Sequence, residues 1–232
     1  MKLVSIPANP VPDNVVSGAI KTPDGVSLRF ARWAPPPGRR GTVVVLQGRA
    51  EYIEKYFETV RDLRARGFAV ATFDWRGQGL SDRALSDKRK GHVRNFKEFA
   101  TDLSAVMEQV VLPDCPPPFF ALGHSMGGAV AIRACHDGSR WFERVVLSAP
   151  MIALPPSPLT RMAGPLARAL RMFGSGSAYV PTADHNLTGK QEFIGNVLTS
   201  DPVRYARNAA VLEEEPELGL GPPTVAWADA AL

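Results

Sequence analysis

Ser125 is the residue of this chain best placed for chemistry. Gly123 and Gly127 frame it in a Gly-x-Ser-x-Gly motif, after a short apolar run and before a segment of helical composition. This order of strand, sharp turn and helix is typical of a nucleophile elbow, which exposes a serine hydroxyl at a turn that leaves room only for glycines. The backbone N–H of Met126 then lies at a helix N-terminus, where it can donate to a developing oxyanion. The motif predicts covalent catalysis by Ser125, against the alternative of an ordinary tight turn.

Two more loops follow buried apolar runs earlier in the chain. Residues 46–52 are Leu-Gln-Gly-Arg-Ala-Glu-Tyr, and residues 73–83 are Phe-Asp-Trp-Arg-Gly-Gln-Gly-Leu-Ser-Asp-Arg. Together with the elbow, and over about residues 18–207, they resemble the α/β-hydrolases of the monoglyceride lipase, lysophospholipase L2 and serine aminopeptidase group. The usual His-Gly pair of that group is Gln47-Gly48 here, which looks more like its bacterial lysophospholipase branch.

The resemblance implies an oxyanion hole made of two backbone N–H groups, those of Arg49 and Met126, with Gly48 supporting the first. The residue that follows the nucleophile supports Met126 from the sequence itself. Arg49 is supported only by a glycine-flanked loop that leaves a buried strand. The alternative for residues 47–49 is an ordinary connection from a strand to a helix.

Asp74 and Arg76 lie in a glycine-containing loop that invites two other interpretations. A phosphate loop is excluded because residues 74–79 do not match Gly-x-x-x-x-Gly-Lys. A catalytic acid is disfavoured because the acid follows the serine along the chain in this fold. We expect both residues to be structural and to hold the loop beside the site. His124 neighbours Ser125, but adjacent residues on a tight turn point apart, so we expect it to pack rather than to act as a base.

The chain offers Ser125 no obvious base. His136 lies eleven positions further along the same helix, about 16 Å away at a rise of 1.5 Å per residue and beyond hydrogen-bond reach. His185 falls in the cap with no strand before it. We therefore expect the acid and the histidine to lie beyond Leu232 or to be absent. The 232 residues alone are expected to be nearly inactive, since losing the base costs such enzymes on the order of 10⁶ in turnover.

Alternating strands and helices must position these residues. Apolar runs predict a hairpin over residues 15–33 and buried strands over 42–46, 68–73, 119–122 and 144–149, with amphipathic helices between them. This alternation predicts an α/β fold, with a mostly parallel sheet that is covered on both faces and opened by an antiparallel hairpin. The resemblance implies the α/β-hydrolase fold with its last core strands missing.

The length is that of one domain, residues 1–232. Within it we expect an N-terminal core at 1–153, a helical cap at 154–220 and the start of a C-terminal core portion at 221–232. The first cap helix has an apolar stripe, formed by Leu159, Met162, Leu166 and Leu170. We expect this stripe to pack on the core. The alternative is a peripheral contact with a membrane, since arginines occupy a separate face.

Composition excludes several classes of function. The net charge of +4 is spread along the chain, which argues against binding of nucleic acid. No run approaches the ~18 apolar residues of a membrane span. Cys115 and Cys135 have no metal-ligand spacing, and we expect them to be reduced and mostly buried thiols of a cytoplasmic protein. No metal or organic cofactor is expected.

We therefore predict a serine hydrolase that cleaves carboxylic esters of single-chain lipids, either a lysophospholipid or a monoacylglycerol. The lipid preference follows from the resemblance alone. One alternative is a non-catalytic pseudo-hydrolase that binds a hydrophobic ligand or partner. Another is a peptidase or a different esterase of the same fold. The oligomeric state is left open.

Overall fold

A sheet of six strands forms the centre of the described part of the protein. The computed structural model describes residues 1–35, 37, 40–153, 158–180, 193–196 and 198–232, with the backbone alone of 158–161. The strands are β1 Val15–Lys21, β2 Ser27–Trp33, β3 Thr42–Leu46, β4 Ala69–Phe73, β5 Phe119–His124 and β6 Arg144–Ser148. Their spatial order is β1-β2-β4-β3-β5-β6.

The predicted hairpin and parallel strands are confirmed. β1 and β2 pair antiparallel around a turn in which Gly25 has φ 87°, a value that favours glycine. β2 is also antiparallel to β4, whereas β3 pairs in parallel with β4 and β5, and β5 with β6. The carboxyl ends of the parallel strands therefore meet at one edge, where the loops after β3, β4 and β5 come together.

Helices cover both faces of the central strands. They are α1 Phe57–Ala65, α2 Lys97–Val106, α3 Leu112–Asp114, α4 Ser125–His136, α5 Pro158–Met172, α6 Pro202–Glu214 and α7 Val225–Ala231. Because successive residues of a strand face opposite sides, β3 contributes to two hydrophobic clusters. Val44 and Leu46 pack with α2 and α4, and Val43 and Val45 pack with α1.

The last described strand, β6, is less covered than the central strands. This strand lies at the end of the described sheet and pairs with β5. Its neighbour on the other side is missing from the described residues, so Val146 remains 59% exposed and Leu147 is exposed as well.

The predicted packing of the cap stripe on the core is wrong for Met162 and Leu166, whereas Leu170 is half-buried. Met162 is 70% and Leu166 56% exposed, and the side chain of Leu159 lies outside the described residues. α5 instead buries Ala167 and packs against α7, where Gly164 comes close to Leu232. Small residues set this contact because they let the two helices approach, and the side chains of Met162 and Leu166 are turned outward.

Two further observations concern predictions from composition. Cys115 is buried, as expected, but Cys135 is exposed, and both are free thiols. None of the helices in the described ranges is long and apolar enough to cross a membrane.

Candidate active site

Ser125 occupies the sharp turn between β5 and α4. It follows His124, the last residue of β5, and is the first residue of α4. Its φ of 48° lies in the left-handed region, a strained conformation for a residue other than glycine and one that clusters at functional sites. A Cβ atom on Gly127 would lie 2.2 Å from the Leu46 carbonyl oxygen, and one on Gly123 would lie 2.8 Å from Gly128 Cα. Only glycine therefore allows this approach of strand and helix.

The turn at residues 47–50, which follows β3, lies directly against Ser125. A Cβ atom on Gly48 would be 3.2 Å from the Ser125 Cβ atom. Ala50 has φ 60°, so this turn is strained as well. The structure thus brings Gly48, and with it the 47–50 turn, to Ser125 across more than seventy residues of sequence.

Two side chains of the loop after β4 hold the backbone of the 47–50 turn. Trp75 Nε1 donates to the Gln47 carbonyl oxygen over 2.9 Å. The Gln78 amide donates to the Gly48 carbonyl oxygen and accepts from the Ala50 N–H, both over 3.1 Å.

The N–H of Arg49 lies between these bonded groups and is left free. It donates no hydrogen bond to any of the described residues. A fixed turn with one free N–H beside a serine hydroxyl can stabilise negative charge that develops there.

Glu51 connects this turn to the elbow. Its buried carboxylate accepts from the Gly48 N–H at 2.6 Å, from Lys55 Nζ at 2.6 Å and from the Tyr56 hydroxyl at 2.5 Å. His124 Nδ1 lies 3.0 Å from the same carboxylate. Burial by itself would raise the pKa of Glu51, but the hydrogen bond from His124 and the charge of Lys55 hold it at about 2. The ring of His124 is thus hydrogen-bonded to a buried anion, a contact that the sequence did not predict.

Asp74 is fully buried and makes contacts of the kind an anchoring role requires. Its carboxylate pairs with Arg29 at 2.7 Å and accepts from the backbone N–H groups of Ile53 and Leu80. Arg29 also pairs with Glu54 at 2.8 Å. The loop after β4 is thereby joined to β2 and to the start of α1.

Arg76 makes contacts of the same kind on the other side of this loop. It pairs with the buried Asp102 at 2.7 Å, with Asp24 at 2.6 Å and with Glu98 at 3.2 Å. Neither Asp74 nor Arg76 contacts Ser125 among the hydrogen bonds and ion pairs of the described residues.

No described histidine forms a hydrogen bond with Ser125. His124 is held by Glu51, and His92 Nδ1 lies 2.9 Å from Thr224 Oγ1. His136 is the last residue of α4, at the opposite end from the serine. His185 lies outside the described residues.

A pocket of about 460 Å³ opens beside His124, between α1 and the cap helix α6. Tyr52, Leu122, Tyr205 and Leu212 are among the residues that line it. Its lining combines aromatic and aliphatic side chains with polar groups near the elbow, which suits an amphiphilic ligand.

Comparison with known proteins places the chain in a family. The model of the family "Serine aminopeptidase, S33" matches residues 37–232. The chain belongs to this family. It is 34% identical over 210 residues to lysophospholipase L2 of Escherichia coli K12, covering 88% of this chain and 59% of that protein. The chain thus spans less than two thirds of the length of this relative.

Solved structures give the same fold. A monoacylglycerol lipase of Paleococcus ferrophilus matches with a TM-score of 0.63 and 26% identity, over 88% of this chain and 68% of that one. A thermostable carboxyl esterase of Bacillus coagulans matches with a TM-score of 0.66 and 20% identity, over 95% and 72%. The predicted family and the predicted α/β-hydrolase fold are confirmed.

Sequence reasoning missed Glu51 and Gln78, which hold the 47–50 turn. Both stand inside motifs singled out by sequence, yet neither motif assigns them a partner. The sequence feature that could have pointed to Glu51 is its position two residues after Arg49, the predicted oxyanion donor. A carboxylate that is buried with this turn must find hydrogen-bond donors.

Proposed function

We propose that this chain supplies the nucleophile and the oxyanion hole of a serine hydrolase that cleaves carboxylic esters of single-chain lipids. One observation carries the proposal above the others. The strained Ser125 lies against a turn whose neighbouring backbone groups are bonded while the Arg49 N–H is free. That pairing of a serine hydroxyl with a prepared donor is what acyl transfer requires.

In the proposed reaction the Ser125 hydroxyl attacks the ester carbonyl. The N–H groups of Arg49 and Met126 bind the oxyanion, the alcohol leaves, and water then hydrolyses the acyl-enzyme. The serine proton needs a base, and no described histidine bonds to Ser125. We propose that the base and its acid come from residues outside the described part of the protein. Asp74 and Arg76 position loops and take no part in the chemistry.

The substrate class is proposed from the relatives. One is a lysophospholipase by name and another a monoacylglycerol lipase. Both names denote cleavage of one acyl chain from a glycerol-based lipid. The pocket beside His124 has the mixed lining that such an amphiphile needs. The free thiols of Cys115 and Cys135 favour a reducing compartment, and we propose the cytoplasm.

We also propose that α5 brings the cap to a lipid surface. Met162, Leu166 and Phe173 are exposed on or just after this helix, and Arg168 and Arg171 lie among them. Apolar side chains beside cations suit an interface with anionic lipid. Sedimentation with anionic and with neutral vesicles tests this, and a Met162→Ser/Leu166→Ser variant that binds anionic vesicles as well as the parent contradicts it.

Turnover of matched esters tests the proposed function. The complete gene product that contains these residues is given a monoacylglycerol, a lysophospholipid, a short-chain ester and an aminoacyl amide. We expect hydrolysis of the lipid esters, lost in Ser125→Ala and kept in Ser148→Ala, a serine that lines the pocket beside His124. Cleavage of the amide alone favours a peptidase. Binding of lipid without turnover of any substrate favours a pseudo-hydrolase.

A further inference from the structure

The side chain of Arg49 is a half-buried cation without a carboxylate partner among the described residues. Its Nε atom is shielded from solvent and has no hydrogen-bond acceptor. Its Nη2 atom donates to the Gly221 carbonyl oxygen over 2.5 Å, and its Cζ atom lies 5.3 Å from the centroid of the Trp227 ring. Burial lowers the pKa of Arg49 to about 10, so the group still carries its charge at neutral pH.

The carboxylates beside Arg49 in sequence and across the contact are already engaged. Glu51, two residues along the turn, is bonded to Lys55 and His124. Asp229, two residues after Trp227, pairs with Arg171 at 2.8 Å and with Arg168 at 3.7 Å. A half-buried guanidinium without an anion is unfavourable, because only part of its hydration is replaced.

Contacts on two sides of Arg49 fix the position of its guanidinium relative to Ser125. Gly48, which precedes it, is in contact with Ser125. On the far side, Gly91 bonds to Pro222 and Thr224 and closes a loop against the segment that contacts the guanidinium. The cation therefore lies between the elbow and the segment 221–227, within one side chain of the proposed oxyanion hole.

We propose that the Arg49 guanidinium is a subsite for the phosphate group of a lysophospholipid. This inference rests on the proposed function and narrows it. A guanidinium binds phosphate through two parallel N–H donors, and the vacant Nε is one of the donors such a fork uses. In a lysophospholipid a short glycerol linker separates the scissile ester from the phosphate, so an ester bound at Ser125 delivers its phosphate to a neighbouring residue. A monoacylglycerol presents a hydroxyl group instead and leaves the cation unpaired.

A selectivity ratio tests the subsite in the complete gene product. The quantity is kcat/KM for a lysophospholipid divided by kcat/KM for the monoacylglycerol with the same acyl chain. Arg49→Gln keeps the backbone N–H and removes the charge, so the ratio falls about tenfold or more, the loss expected for a charged hydrogen bond. Arg49→Lys restores part of it. Arg140→Gln, before β6 at the opposite edge of the sheet, leaves the ratio unchanged.

A binding measurement separates the lipid headgroup from free phosphate. In the Ser125→Ala protein, the ¹⁵N resonance of Arg49 Nε–H is followed during titration with inorganic phosphate, glycerol phosphate and a lysophospholipid. We expect a saturable shift with the lysophospholipid at lower concentration than with either free anion, and no shift with the monoacylglycerol.

The outcomes distinguish the two proposals. If the parent protein hydrolyses neither lipid, the proposed function fails, while the Nε–H titration still decides the subsite. An equal loss on both lipids in Arg49→Gln, or no shift with any phosphate, overturns the subsite. A shift with inorganic phosphate that the lysophospholipid does not reproduce also overturns it, since the cation then takes small anions and no headgroup.

Discussion

The turn beside Ser125 and the cap are held by opposite kinds of contact. Under the turn, Arg29 pairs with Glu54 and Asp74, and all three side chains are withdrawn from water. In the cap, the ion pairs that reach the core, such as Arg204 with Glu58, are exposed at the surface. Phe173 is 88% exposed there, whereas the apolar residues around the elbow are buried.

This difference between buried and exposed ion pairs shows which part of the structure is held in one arrangement and which part can move. Buried, fully bonded charges allow one arrangement, because any other leaves an unpaired charge out of water. Exposed ion pairs contribute little, since water replaces them when they separate. The site is thus built on the part of the chain that resists change, and the cap is the part whose displacement costs least, which suits the proposed hydrolysis of lipid esters.

The largest effect is expected from Arg29→Gln. This change removes the cation shared by Glu54 and Asp74 and leaves two buried carboxylates facing each other. We expect the free energy of unfolding to fall by about 3–5 kcal/mol, measured by urea denaturation. Arg32→Gln is the matched control, because Arg32 lies on the same strand but pairs with the exposed Asp114. Equal losses in the two variants would remove the contrast between the site and the surface.

Acid should destabilise the site through Glu51. Its folded-state pKa is about 2, below the ordinary value of 4.5, so its stabilisation is present above pH 4.5 and is lost as the pH falls towards 2. The shift corresponds to about 3 kcal/mol at neutral pH. Unfolding followed over this range should show a weaker pH dependence in Glu51→Gln than in the parent. An identical pH dependence of the unfolding free energy in the two proteins would mean that these contacts do not lower the pKa of Glu51.

Gln78→Ala tests how the 47–50 turn is held. The change removes two hydrogen bonds, those to the Gly48 carbonyl oxygen and from the Ala50 N–H. We expect a loss of about 1–2 kcal/mol in unfolding free energy, with slower acylation of Ser125 as the turn relaxes. The control is Gln109→Ala, whose amide makes one exposed hydrogen bond to Lys21. Slower acylation in the control, or an unchanged acylation rate in Gln78→Ala, would contradict this role.

The smallest effect is expected from Glu58→Gln on α1. Glu58 accepts from Arg204 and Arg207 of the cap helix α6; the pair with Arg204 is exposed and the pair with Arg207 is half-buried. The unfolding free energy should change by less than about 1 kcal/mol. Proteolysis of the cap should nevertheless become faster, because these pairs join it to the core. A loss as large as that of Arg29→Gln would show that the cap belongs to the same cooperative network as the site.

The sequence predicts the sheet better than it predicts the contacts of the site. Five consecutive apolar or small residues at 42–46 can form only a buried strand in this context, and the strand is found there. The packing of α5 is not predictable in this way, because its contact is decided by the small residue Ala167 rather than by its large apolar residues.

The same limit applies within the site. Ser125 and its glycines are local in sequence, so their turn can be predicted from neighbours alone. Glu51 and His124 are 73 residues apart, and Gln78 is 30 residues from Gly48. Such pairs depend on how the loops after β3, β4 and β5 meet at the sheet edge, which no periodicity of the sequence records.

The reactivity of Ser125 tests the central claim most directly. The complete gene product is treated with a fluorophosphonate and digested, and the modified peptide is identified by mass spectrometry. We predict one phosphonylated residue, Ser125, with labelling slowed by a lysophospholipid and abolished in Ser125→Ala but not in Ser148→Ala. Full hydrolysis of lipid esters by Ser125→Ala, or labelling that leaves Ser125 unmodified, would contradict the claim that this strained serine is the nucleophile.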